Sequence, residues 1–340
     1  MKYWKKASCM VLMILCLMLT ACSVGNVEEP PPEPVRTPVV RPDSTGEVTW
    51  GDQTFSIHDE NLVLNIQVRS NEILDLSVLS YCTQLRSLSL NVTVVPHIYQ
   101  DKYNDPHIAE YTPTDLSPLA SLAGLERLEL NVSAIKDLAP LSGLSELKTL
   151  VLWIEGEVDL VPLASCESLT ELALGGRGTV DLTPLRQCAA LSKLRVDLYD
   201  TDWNLPDLSA LSGAPSLKTL SVGGCNGLGD LVDVPLERLI DHNGGGDILE
   251  NLPSLDTLTA VEFSDEHLDD IRPLLLHPAV TDIVLEVGMQ EIESGTVITS
   301  RDDAVLEYLI TPVSIAQLRE FLNGGGSITL VVSRSRVAEK

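Results

Sequence analysis

"DLSPLASLAGLERLELNVSAIK" (115–136) is followed without a break by "DLAPLSGLSELKTLVLWIEGEV" (137–158). The chain restarts on Asp-Leu-x-Pro-Leu after 22 residues, and its leucines keep step. They stand at Leu116, Leu119, Leu122, Leu125, Leu128 and Leu130, then at Leu138, Leu141, Leu144, Leu147, Leu150 and Leu152. Apolar residues at every third position belong to a turn-like stretch, and the L-x-L that follows alternates between two faces as a strand does. One such unit has nothing against which to bury its leucines. Only stacking does that, so the pattern predicts a solenoid.

The opening aspartate recurs at Asp75, Asp115, Asp137, Asp159, Asp181, Asp207, Asp230 and Asp270. Strand phrases follow it at 85–91, 125–131, 147–153, 169–175, 191–197, 217–223, 236–242, 258–264 and 280–286, with a leader at 62–66. Stacked, these nine coils and leader form one parallel sheet buried on its inner side. The aspartate is placed to cap a short helical or 3-10 turn by accepting otherwise unpaired backbone N–H groups, and Pro118 then falls in the first turn, where its missing N–H costs little. A calcium ladder is disfavoured, because one acid per coil does not assemble the six to eight oxygens that calcium takes.

The repeat resembles the leucine-rich repeat proteins, in particular the 22-residue type of internalins and related bacterial surface proteins, over about residues 60–290. The resemblance implies an α/β-type solenoid with a parallel concave sheet and short helical or 3-10 turns on the convex side, and it is far less specific for a function than for the fold. One feature departs from the family. The asparagine usual three residues after the last strand leucine is replaced by Thr93, Ser133, Glu155 and Arg177, so looser loops are expected.

The chain's ends are of other kinds. Lys2, Lys5 and Lys6, the apolar "ASCMVLMILCLML" and then "LTAC" have the form of an export signal, and "LTAC" resembles the lipobox of bacterial lipoproteins. That resemblance implies cleavage after residue 21, a lipid on Cys22, and a body held outside the cytoplasm at the cell membrane or envelope. Residues 22–45 contain six of the 20 prolines and read as an extended tether reaching at most about 70 Å. Residues 46–66 read as an N-terminal cap, a hairpin around Gly51-Asp52 with the leader strand. Residues 67–290 are the repeats, and 291–340 a C-terminal cap with a short helix (312–322) and a strand (324–332). Removing the signal deletes three lysines and no acid, so 20 cations against 49 acids leave a net charge of −29. That sign argues against nucleic acid and against lying on anionic lipid.

Catalytic and metal signatures are missing: no H-E-x-x-H, G-x-S-x-G, P-loop or Cys-x-x-Cys occurs, and no enzyme activity, cofactor or metal is expected. Cys82, Cys166 and Cys188 share the repeat position of Leu122 and Leu144 and read as buried fillers, with a Cys166–Cys188 disulfide left open. Cys225 is the thiol expected to be exposed, and His277 falls in a leucine column. Binding is expected where a solenoid breaks period or bares side chains. The 40-residue interval from Asp75 to Asp115 carries Tyr99, Tyr103 and Tyr111, and the 26-residue unit from Asp181 carries Trp203. With leucines inward, the concave face presents Arg127, Glu129, Asn131, Val151, Trp153, Glu171 and Arg195 around a central indole beside the small Ala173 and Gly175. The expected partner is a protein or glycan bound by a monomer. The competing reading is a structural or assembly component of the envelope.

Overall fold

The computed structural model of the chain describes residues 35–69, 72–95, 98–100, 106–108, 114–132, 135, 137–199, 206–223, 226–242, 255–264, 276–288, 297–299 and 320–333. The every-third leucines have a direct backbone cause. Leu119 N donates to Leu116 O, Leu122 N to Leu119 O and Leu125 N to Leu122 O, at 2.9–3.0 Å, and the same relay runs through Leu138, Leu141, Leu144 and Leu147. These are 3-10 hydrogen bonds. With three residues per turn, side chains at i and i+3 eclipse, so one face of the turn carries every leucine. The 3-10 turns Ser117–Ser121, Ala139–Gly143, Val161–Ser165 and Thr183–Gln187 repeat this geometry, each with proline near its start.

The aspartate holds the start of each turn. One carboxylate oxygen accepts the backbone N–H two residues on: Asp75 from Ser77, Asp115 from Ser117, Asp137 from Ala139, Asp159 from Val161, Asp181 from Thr183 and Asp207 from Ser209, at 2.8–2.9 Å. Asp230 departs from the expectation. It lies at the end of the 3-10 turn Leu228–Asp230, whose start is set by Gly227 at φ +70°. A Cβ at Gly227 would stand 2.2 Å from Asp207 Oδ1, so the glycine leaves room for the preceding coil's cap.

After each turn the chain enters the sheet by a shared acceptor: Lys148 N and Thr149 N both bond Glu126 O, and Thr170 N and Glu171 N both bond Lys148 O. Parallel pairing then runs unbroken from Asn61–Arg69 through Ser87–Val95, Arg127–Asn131, Thr149–Glu157, Glu171–Thr179, Lys193–Tyr199, Thr219–Val222, Arg238–Asp241, Ala260–Ser264 and Asp282–Gly288 to Ser327–Ser333. Val297–Thr299 closes the far edge antiparallel. The expected C-terminal strand is therefore one more rung of the same sheet. Leucine meets leucine in register, Leu128 with Leu150 with Leu172 with Leu194, all at most 1% exposed, and each fully buried leucine contributes about 1.5–3 kcal/mol.

At the first coil, Glu47–Trp50 and Gln53–Ser56 form the hairpin, with Gly51 at φ +64°, and bury Val48, Trp50 and Phe55 against the core. The end of the proline-rich segment, read from the sequence as an extended tether, is tied to the first coil. Val35–Arg36 pairs in parallel with Glu72–Ile73, Thr37 N donates to Ile73 O, and Asp75 N donates to Thr37 Oγ1. Val40 packs against the core. A strap of this kind is compatible with proline because an edge strand needs few N–H donors. Four strands run longer than expected: Asn61–Arg69, Ser87–Val95, Thr149–Glu157 and Glu171–Thr179 have nine residues each. Thr93, Glu155 and Arg177 are thus strand residues where the family places its turn asparagine; Ser133 lies outside the described residues.

Candidate functional site

Alternation along the strands sorts the side chains. In Thr149–Glu157 the even residues Leu150, Leu152 and Ile154 are at most 1% exposed, while Trp153 is 47% exposed. Register then makes columns: Thr149 lies between Arg127 and Glu171, Val151 between Glu129 and Ala173, and Trp153 between Asn131 and Gly175. Arg195 pairs with Ala173 one rung further on. The seven expected face residues therefore share one open surface, at about 4.8 Å per rung.

Trp153 leans along the sheet instead of folding onto the loop behind it. A Cβ built on Gly175 would stand 3.5 Å from Cε3 and Cζ3 of the indole, so an edge of the six-membered ring reaches Gly175 while the side chain as a whole stays exposed. The adjoining glycines serve the backbone. Gly176 has φ +117°, and a Cβ there would come within 2.3 Å of Ile154 O; at Gly178 it would come within 2.1 Å of Gly156 O. Only glycine permits so close an approach of neighbouring coils.

Charges on the face are paired within it. Arg127 bonds Glu129, Arg195 lies 3.6 Å from Asp197, Arg238 lies 2.9 Å from Glu262, and Lys193 is in register with Glu171. At the strand entrances Glu126 bridges Arg86 (2.7 Å) and Lys148 (2.6 Å), and the hydrogen bonds from Lys148 and then Arg86 hold its carboxyl below the usual range. A row of amides occupies the third outward column before Trp153: Asn65, Asn91 and Asn131 are in register, and Asn91 Nδ2 donates to Asn65 Oδ1 at 3.3 Å and Ser89 Oγ at 3.4 Å. Further along, Ser221 Oγ and His242 Nε2 are hydrogen-bonded at 2.9 Å. Both groupings escaped the sequence reading, although the register of the L-x-L phrases already places them together.

The insertion after Ser87–Val95 forms a second hairpin, Ile98–Gln100 against Pro106–Ile108, with Tyr99 opposite His107. Tyr103, Tyr111, Trp203, Cys225 and Cys22 lie outside the described residues, as does most of the expected 312–322 helix. Cys82, Cys166 and Cys188 are buried free thiols, and Cys166 Sγ and Cys188 Sγ each point at a carbonyl of the preceding coil, Leu141 O and Leu163 O. Burial pushes the Cys82 and Cys188 thiols up to about 11 and raises that of Cys166. His277 is half-buried in its leucine column and accepts from Ala279 N at 3.3 Å. Among the described residues no three histidines, cysteines or acids gather so as to hold a metal ion.

No known family model matches the chain, and no curated protein does. Among solved structures it is similar to an internalin (inlF) of Listeria monocytogenes strain 4b F2365, with 21% identity over 64% of this chain and 66% of that one and a TM-score of 0.36. It is also similar to internalin C2 (inlC2) of the same strain, with 25% identity over 48% of this chain and 73% of that one and a TM-score of 0.31. The chain thus spans just under two thirds of the first of these internalins. Its own 3-10 relay and in-register leucine ladder carry the conclusion independently: the chain is folded as a leucine-rich repeat solenoid with one continuous parallel sheet.

Proposed function

We propose that this is an exported, lipid-anchored leucine-rich repeat protein that binds a protein or glycan at the cell surface, as a monomer, through the strand face centred on Trp153. The supporting observation is the exposure of that indole, 47%, in the middle of a sheet whose inward neighbours are at most 1% exposed. The indole lies against the small Gly175, and central aromatic anchors dominate binding energies. Arg127, Glu129, Asn131, Val151, Glu171 and Arg195 surround it, and Tyr99, Tyr103 and Tyr111 of the insertion form a second contact region. Cys22 carries the anchor in this reading. Because residues from Val35 are strapped to the first coil, the span from Cys22 shrinks to the 12 residues 23–34, or at most about 37 Å, half the length read from composition.

Two variants test the reading separately. Trp153→Ala removes a central anchor worth about 2 kcal/mol or more, so ligand affinity falls well over tenfold while the melting temperature stays within a degree or so. Unchanged affinity contradicts the site. Cys22→Ser releases the protein from the membrane fraction of the producing cells; membrane partition unaltered by Cys22→Ser contradicts the anchor.

A further inference from the structure

The face that carries Trp153 has almost no net charge on a chain that has a great deal. In the three outward columns from Asn61 to Glu286, the positions in register hold four cations (Arg127, Lys193, Arg195 and Arg238) and six acids (Glu129, Glu171, Asp197, Glu262, Asp282 and Glu286). The sum is 4 − 6 = −2, against −26 for the whole chain. Each of the four cations sits beside an acid of the same face, so none is left over to capture an anionic ligand. The stretch ahead of Trp153 is uncharged in its third column: Asn65, Asn91, Asn131 and then the indole, on four adjacent rungs spanning about 14 Å.

This combination favours one ligand chemistry. The amide row uses only part of its capacity, since Asn91 Nδ2 gives its hydrogens to Asn65 and Ser89. Among the described residues Asn91 Oδ1, Asn65 Nδ2 and both ends of the Asn131 amide are engaged by no side-chain hydrogen bond, and an amide both donates and accepts. A hydroxyl likewise does both, and so matches a mixed row of donors and acceptors where a carboxylate or phosphate matches donors only. The indole, propped on Gly175, adds a flat apolar platform with a C–H-friendly π face. A ligand with a hydroxyl edge, an apolar ring face, no charge and a length of several rings is a neutral polysaccharide strand.

We infer that the row Asn65, Asn91, Asn131 and Trp153 is a subsite array for an uncharged polysaccharide lying across the rungs, along the solenoid axis. This rests on the proposed binding role of the same face. The test is affinity electrophoresis of the full chain in neutral detergent, which suits a protein of pI about 4.4, through gels containing cellulose ether, mannan, dextran or arabinoxylan, with polygalacturonate as the anionic comparison. Retardation by at least one neutral polymer is expected, falling at least tenfold in affinity for Trp153→Ala and also for Asn91→Asp, which keeps the shape and adds a charge, with unchanged circular dichroism melts. Retardation by none of the neutral polymers, by polygalacturonate alone, or equally in all variants overturns the inference. A protein held through this face and released by Trp153→Ala, with no polymer retarded, overturns the polysaccharide while leaving the binding face in place; loss of both retires the proposed function as well.

Discussion

Replacing Asp75, Asp137 and Asp181 together by alanine is expected to lower stability by about 3 kcal/mol. Each carboxylate accepts one backbone N–H at 2.8 Å at the turn's first residues. Loss of such a cap costs about 1 kcal/mol. The three lie in alternate coils, about 10 Å apart along the stack, far enough for their effects to add. Asn keeps the acceptor oxygen, so the matching triple asparagine variant should fall short of wild type by a few tenths of a kcal/mol only. Glu146→Ala, an exposed acid with no cap to lose, provides the baseline at about ±0.5 kcal/mol. Urea unfolding followed by circular dichroism reads all three, with the slope unchanged if the native stack is intact. If the triple alanine variant is no less stable than Glu146→Ala, the aspartate ladder does not hold the turns, and the reason given for the recurring Asp-Leu-x-Pro-Leu fails.

Leu150→Ala, at a fully buried position in the middle of the ladder, should cost about 2–5 kcal/mol by the same measurement; a cost below 1 would mean the coil relaxes around the cavity. Gly176→Ala sets a Cβ against Ile154 O in a left-handed backbone and should destabilise by more than about 1 kcal/mol, whereas Gly143→Ala, with open space around it, should not. Thiol reagents at neutral pH should leave Cys82, Cys166 and Cys188 unlabelled until the chain unfolds, and early labelling of any of them would contradict its burial. Glu126 is held low by Lys148 and Arg86, so its contribution is present above the ordinary carboxylate range, near 4.5, and is lost as pH falls through its lower folded value. Glu126→Gln should therefore flatten the acid limb of the stability curve below about pH 4.5; an unaltered limb would show that the bridge adds nothing.

The core was legible because leucine obeys two periods at once, three in the turn and two in the strand, and both periods bury it. Alternation likewise placed Trp153 and its neighbours outward. Residues that break a column were harder to see. Asp241 stands in register with Val222 and Phe263 and is 1% exposed, an inward position that alternation from Leu239 already implies but that an acid disguises. Asp230 carries the Asp-Leu signature without the cap, because Gly227, three residues earlier, starts that turn. The strap at Val35–Arg36 escaped altogether: proline-rich composition says what a segment cannot bury, and says nothing of an edge such as Glu72–Ile73 that offers it a partner. The nine-residue strands escaped for a related reason, since "GGRG" reads as a loop, while between two coils in close approach glycine is what lets the ladder continue.

The claim that ligand meets the strand face is tested most directly by placing a photoreactive benzoylphenylalanine at Val151, on the strand face beside the retained Trp153, and, in a second variant, at Val161, which is 58% exposed on the 3-10 side of the same solenoid. Illuminated on intact cells, residue 151 should yield a discrete adduct and residue 161 none. Adducts of equal yield at both sites, or an adduct at 161 alone, would contradict the account.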